Sequence, residues 1–171
     1  ETAQLAGRLG LKLMLPSAFG RPDKFAPVAD IYREAFDKAN HAHSAEVGAC
    51  WHGWVHKDGA EAHKRFRPRY EAYHAFSQAL IKKVNPNPPP YFTTAFDYEM
   101  LTTKGPAVVG SPQQFIDRLC ELDALLHADV NLIKMDMGGV PTGEFLEMVT
   151  LLAEEVIPHL PATTAVAEAT A

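Results

Sequence analysis

The run Val130-Asn131-Leu132-Ile133-Lys134-Met135-Asp136-Met137, closed by Gly138-Gly139 and followed by an amphipathic segment to Leu160, constrains this chain most. Its length and apolar character are those of a buried strand. The two glycines stop it, because residues without Cβ permit backbone angles that no strand continues. Beyond Pro141, Thr142 is placed to cap a helix, and Glu144 falls in the first turn, where the helix dipole favours an anion. Phe145, Met148, Leu152 and Val156 recur at helical spacing until Pro158 ends the pattern. Strand, glycine turn and helix make one βα unit. Its turn lies at the carboxyl end of the strand, where α/β proteins place ligands and chemistry.

Two further units precede it. The chain opens without methionine, and Leu5 and Leu9 already lie on one helical face before Gly10, so the expectation is that an N-terminal portion is missing. Leu11 to Leu15 reads as a short strand ended by Pro16-Ser17, and Asp23 as the cap of a helix striped by Phe25, Val28, Tyr32 and Phe36. Val47 to Val55 is the second strand. Asp58 to Glu61 then opens a long helix as far as Ile81, in which Pro68 predicts a kink or a restart. Asn85 to Pro90 must be a surface excursion, and Tyr91 to Lys104 reads as a short helix or a lid. Ala107 to Gly110 is a brief extended piece. Ser111-Pro112-Gln113-Gln114 follows it as a helix start with a capping box.

Strands alternating with helices imply a parallel sheet. Three strands cannot close a barrel, and eight units take about 250 residues. The expected fold class is therefore α/β, a partial (β/α)8 TIM barrel of roughly three parallel strands with flanking helices. It should occupy residues 1–160, with an excursion or lid at 85–106 and a flexible tail at 161–171. The net charge of -5 argues against nucleic acid or an anionic membrane as the main partner. No apolar run approaches the roughly 20 residues that span a bilayer. Cys50 and Cys120 form no metal or redox motif, which fits reduced thiols and a cytoplasmic location.

Chemistry should sit at the strand carboxyl ends, at Ser17, at His52 to His56 and at Asp136 to Gly139. Gly48, Cys50, His52, Trp54 and His56 share one face of the second strand. That face is assigned inward, because His52 needs a polar neighbour. Lys134 and Asp136 share a face of the last strand, so Asp136 and His52 are the candidate catalytic pair facing one cavity; the alternative is a buried Lys134–Asp136 ion pair. No metal site is expected. His41-Ala42-His43 lies in a loop at the wrong edge of the sheet, and His52 and His56 are about 13 Å apart along a strand. His63 and His74 should lie on an exposed helix face. The basic run Lys64 to Arg69 is either a solvated helix face or a clamp on an anionic cofactor or substrate. Trp51 and Trp54 either stack on a planar ligand or pack the barrel.

The segments ETAQLAGRLGLKLML, VADIYREAFDKANH, VGACWHGWVHKDGAEAHKRF, VVGSPQQFIDRLCEL and VNLIKMDMGGVPTGEFLEMVTLLAEEVIP, in this order, resemble the C-terminal half of the bacterial luciferase-like, flavin-dependent monooxygenase family. The resemblance implies a (β/α)8 barrel that binds reduced FMN at its carboxyl face, activates O2 and oxygenates an organic substrate, a deazaflavin being the alternative cofactor. It implies cofactor contacts at Thr2, near the flavin phosphate, and at Met137, Gly138 and Gly139 near the ring, with His52 beside the cavity; Trp54, already a stacking candidate, joins them as a candidate cofactor residue. It further implies a supplier of reduced flavin, and either a homo-oligomer or pairing with the missing N-terminal half. A non-catalytic flavin-binding half-barrel is the alternative function.

Overall fold

The computed structural model describes residues 1–88 and 97–161. A seven-residue helix α1 (Thr2–Arg8) leads into strand β1 (Leu13–Leu15), helix α2 (Ala26–Ala39) and strand β2 (Val47–Val55). Helix α3 (Gly59–Val84), a short α4 (Tyr98–Thr103), strand β3 (Ala107–Gly110), α5 (Pro112–Leu126), β4 (Val130–Lys134) and α6 (Thr142–Leu151) complete the order. After α6 the chain runs through a π turn at Leu152–Val156 and a 3-10 turn at Ile157–His159. Helices follow strands throughout and every strand pair is parallel, as the sequence pattern required. The architecture is a partial barrel.

β2 is the hub of the sheet. Leu13 to Leu15 pair with Val47 to Ala49, Ala107 to Gly110 with His52 to Val55, and Val130 to Lys134 with Gly48 to His52. Leu13 N–H donates to the Glu46 carbonyl, and His52 N–H to the Pro106 carbonyl. On a strand, alternate residues address opposite edges. The Glu46 and His52 groups thus point to one edge, serving first β1 and then β3, and Cys50 is left between the two ladders. Ser17 fills the gap. Its hydroxyl accepts from Cys50 N–H and donates to the Cys50 carbonyl, both at 2.8 Å. Ser17→Ala leaves two partly buried backbone groups without this partner, and we expect it to cost about 2 kcal/mol in urea unfolding, whereas Ser17→Thr should recover most of that.

The core lies on the odd-numbered face of β2. Trp51, Val47 and Ala49 are fully buried there with Tyr32 and Phe36 of α2 and with Phe115, Leu119 and Leu122 of α5. Phe115 closes over Gly53, where any Cβ would strike Ile133. Trp51 Nε1 donates to Asn131 Oδ1 at 2.7 Å, tying β2 to β4. Two helix starts form as read: Asp58 accepts from Ala60 and Glu61 N–H, and Ser111 and Gln114 make a reciprocal capping box.

Several expectations need correction. Residues 107–110 form a full fourth strand, because the backbone of His52 to His56 offers them a free edge. β4 stops at Lys134, and it is not buried: Val130 and Leu132 are 44% and 54% exposed. Asp23 sits in a 3-10 turn, holding Arg21 through two 2.9 Å bonds, and α2 starts from Phe25 without a side-chain cap. Pro141, not Thr142, is the cap residue of α6. α3 runs unbroken past Pro68, whose ring faces solvent, where the missing N–H costs least. The Tyr91 to Phe96 part of the expected lid, and the tail from 162 on, lie outside the described residues.

Candidate functional site

The even-numbered face of β2 carries the candidate site. Gly48, Cys50, His52 and Trp54 line it in sequence, and the register places Val130, Leu132 and Lys134 beside Gly48, Cys50 and His52. α3 crosses its carboxyl half. The Tyr70 and Tyr73 rings lie edge-on to the His52 imidazole at 5.2 and 5.6 Å, and the Arg69 guanidinium covers the Trp54 indole at 4.8 Å. The other half of the face is open. Met14, packed over Gly48, is 54% exposed, like Leu132 across the wall.

His52 is 2% exposed. Its Nε2 lies 3.2 Å from the Ala18 carbonyl, and its Nδ1 is buried without a partner. Burial, helped by the nearby Lys134 charge, pushes its pKa down to about 4, so the ring is neutral at physiological pH. Lys134 rests its ammonium on the Tyr73 ring, 3.8 Å from the centroid. Burial raises the Cys50 thiol pKa, with Lys134 opposing. Burial likewise raises that of the Tyr70 hydroxyl.

The two residues of the candidate pair differ in setting, His52 being buried and Asp136 exposed. Asp136 lies beyond the end of β4, exposed, and its Oδ1 accepts from Gly138 N–H at 2.7 Å. The Lys134–Asp136 ion pair does not form, because the turn backbone takes the carboxylate first. Lys134 is the wall's charged group, and sequence reasoning passed over it as a site residue. Its closeness to His52 depends on strand register, which a sequence read alone does not contain.

Of the candidate cofactor residues, Trp54 is fully buried beneath Arg69 and offers no face for stacking. Gly138 and Gly139 adopt φ values of 100° and 74°, and a Cβ at either would meet nothing within 4 Å. Open space and a backbone that only glycine adopts readily leave this turn free for close approach. Met137 beside it is half-buried. Thr2 is exposed at the first position of α1, and Glu1 supplies no side-chain cap to its free N–H groups. A cleft of about 560 Å³ opens between His56 and Lys57 at the end of β2 and Leu146, Glu147 and Thr150 of α6.

The basic run is held within the fold. Arg65 and Arg69 grip the two oxygens of Glu144 at 3.0 and 2.9 Å, Arg67 pairs with Glu71, and Lys64 with Glu61. Glu144 thereby ties the first turn of α6 to α3 across the mouth. His41 and His43 are engaged by the Gly7 and Gly10 carbonyls at 3.0 Å each, closing the carboxyl end of α1. His63 is half-buried against the Tyr98 hydroxyl at 2.8 Å rather than exposed. Among the described residues no group of three potential ligands could hold a metal ion, and no helix is long and apolar enough to cross a membrane.

No protein-family model matches the chain, and no curated protein matches it. Solved structures do. A monooxygenase, RslO1, from Streptomyces bottropensis aligns at TM-score 0.70 and 21% identity over 92% of this chain and 44% of its own. The oxygenating constituent of 3,6-diketocamphane monooxygenase from Pseudomonas putida, a type II Baeyer-Villiger monooxygenase in complex with FMN, aligns at 0.62 and 17% over 93% and 45%. The coenzyme F420 dependent tetrahydromethanopterin reductase from Methanopyrus kandleri aligns at 0.54 and 17% over 93% and 48%. The chain spans about half the length of these structures. Its fold is that of part of the α/β barrel these structures share.

Proposed function

We propose that this chain is the C-terminal portion of a flavin-dependent monooxygenase, spanning residues 1–160, that uses FMN to activate O2 and oxygenate an organic substrate. The alignment of nearly the whole chain with monooxygenase barrels, one of them in complex with FMN, carries the reading. The residues fit the cofactor in part. The uncapped start of α1 with the Thr2 hydroxyl suits a phosphate, and the Gly138-Gly139 turn suits a planar ring. Trp54 does not fit, and Asp136 is engaged by its own turn. Bound reduced flavin would supply the electrons for O2 activation, drawn from a separate reductase, with a deazaflavin as the alternative carrier. The chain's own groups would position ligands and exclude water, His52 as a neutral acceptor and Lys134 as a cation.

FMN added to the protein is expected to lose fluorescence saturably, and Thr2→Val to weaken binding about tenfold through a lost hydrogen bond to phosphate. A longer polypeptide containing this chain should take up oxygen when given reduced FMN. Failure of FMN and deazaflavin alike to bind either form would remove the proposal.

The exposed Met14, Val130 and Leu132 favour a second reading, a non-catalytic flavin-binding half-barrel that covers this wall by pairing. Under it the chain is a stable homodimer in solution, and bound flavin does not turn over. Pairing with a separate N-terminal half would cover the same wall.

A further inference from the structure

We propose that the glycine turn and the first turn of α6, residues 138–144, form a strap across the mouth, and that Glu144 is the latch that holds it shut. The strap has little of its own to keep it in place. Gly138 and Gly139 hold φ values of 100° and 74°, and a Cβ added at 138, 139 or 143 would meet nothing within 4 Å. Pro141 at the cap position lends α6 no side-chain hydrogen bond, and Gly143 in the first turn is a poor helix former. The segment is exposed except at Val140 and Glu144. Further along, α6 is held by Met148 and Leu151, both buried.

Among the described residues, two side-chain hydrogen-bond ties hold the strap. At one end Gly138 N–H donates to Asp136 Oδ1 at 2.7 Å, a bond within the turn itself. At the other, the Glu144 side chain, 14% exposed, sets one oxygen 3.0 Å from Arg65 and the other 2.9 Å from Arg69. Only this second tie reaches another element. The arginines are fixed independently of it: Arg69 lies on the buried Trp54 ring and donates to the Arg65 carbonyl, and Arg65 also holds Glu61. They stay in place when the carboxylate leaves. The strap has room to leave, because Gly143 lines the cleft of about 560 Å³ that opens toward His56 and Lys57. A released first turn unwinds at Gly143 and swings with the glycine turn, widening that cleft, while α6 from Met148 onward stays docked. The bearing on flavin, which would meet Gly138 and Gly139, rests on the monooxygenase reading; the motion does not.

Amide exchange on the protein and three variants tests the latch. Phe145 N–H, which donates to the Pro141 carbonyl at 3.0 Å, reports on the first turn, and Leu152 N–H, which donates to the Met148 carbonyl, reports on the docked part. Glu144→Gln sets an amide N–H against one guanidinium in place of an acceptor. It should speed exchange at Phe145 about tenfold and leave Leu152 near wild type. Glu147→Gln removes a carboxylate from the same helix without touching the clamp, and should leave both amides near wild type. Arg65→Met loosens the latch from the α3 side and should speed Phe145 about threefold, which an effect confined to α6 would not do. It also decides the matter if Glu144→Gln does not fold. Exchange at Phe145 unchanged in either clamp variant, an equal rise in Glu147→Gln, or a matching rise at Leu152 would each overturn the latch. FMN fluorescence, scored on the same samples, reports separately on the proposed function: no quenching by the wild type removes the flavin reading and leaves the latch to be judged by exchange alone.

Discussion

Alanine at position 7 is expected to destabilise the protein by about 3 kcal/mol and to free α1 from the fold. Gly7 lies where α1 crosses α2 so closely that an added Cβ would collide with the Tyr32 carbonyl oxygen. It would also stand 2.9 Å from both the Ala35 Cβ and the Phe36 backbone nitrogen. Two of these neighbours are helix backbone and cannot turn aside, so the helices must separate. The sign is diagnostic. In an ordinary helix interior, Gly→Ala stabilises by roughly 0.5–1 kcal/mol, because it narrows the unfolded ensemble and suits the helix. A seven-residue helix is also too short to persist without its packing. The urea midpoint should therefore fall, and amide exchange over residues 2 to 9 should rise far more than elsewhere. An increase in stability would mean that α1 does not sit against α2 as described. Because Thr2 rides on α1, the variant should also lose whatever FMN affinity that hydroxyl provides.

Much of this fold was legible in the sequence because local rules agree with one another. After Val130 the order of strand, double glycine and helix is the one read, with both glycines at positive φ, although the strand ends at Lys134 and the α-helix at Leu151. Asp58 and Ser111 cap helices where their spacing predicts. What escaped was set by distant partners. Asp23 has the chemistry of a cap, but Arg21 two residues earlier takes its carboxylate first. The apolar β4 reads as buried because sequence reports only what a strand is fit to face. In the structure Val130 and Leu132 stay 44% and 54% exposed. The basic run looked free because Glu144, 79 and 75 residues from the two arginines it joins, becomes a neighbour only through the fold.

The candidate site divides in the same way. Assigning Gly48, Cys50, His52 and Trp54 to one face needed only the strand period of two. Knowing that α3 would return over that face did not follow from its hydrophobic stripe, since Tyr70 and Tyr73 serve equally well against either side of the sheet. That return buries Trp54 and His52. It turns one from a stacking platform into packing, and the other from a titrating base into a neutral acceptor. Ser17 illustrates the gap most directly: as a lone hydroxyl at a strand end it resembled a catalytic group, but it completes a ladder between two strands on one edge.

Stability should fall as pH is lowered from about 6.5 to about 4, and His52 should account for about 3 kcal/mol of that fall. Its folded-state pKa is depressed from the ordinary 6.5 to about 4, chiefly by burial. Between those values the unfolded chain binds a proton at this position that the native chain refuses, so unfolding is favoured by acid. The contribution of neutral His52 is fully present above pH 6.5, declines through the window and levels off below pH 4. His63, lowered by its own burial, adds a slope of the same sign, so wild type alone does not isolate the effect. His52→Gln does: the amide donates to the Ala18 carbonyl in place of Nε2 and does not titrate. Of the groups around position 52, burial pushes the Tyr70 hydroxyl and the Cys50 thiol up, away from this range. Urea unfolding free energies of the two proteins should therefore diverge steadily as pH drops, the variant losing less. Parallel curves from pH 7 to 4 would show that His52 protonates in place. The ring would then not be the desolvated acceptor that the wall requires, and Lys134 would face a second cation instead of a lone pair.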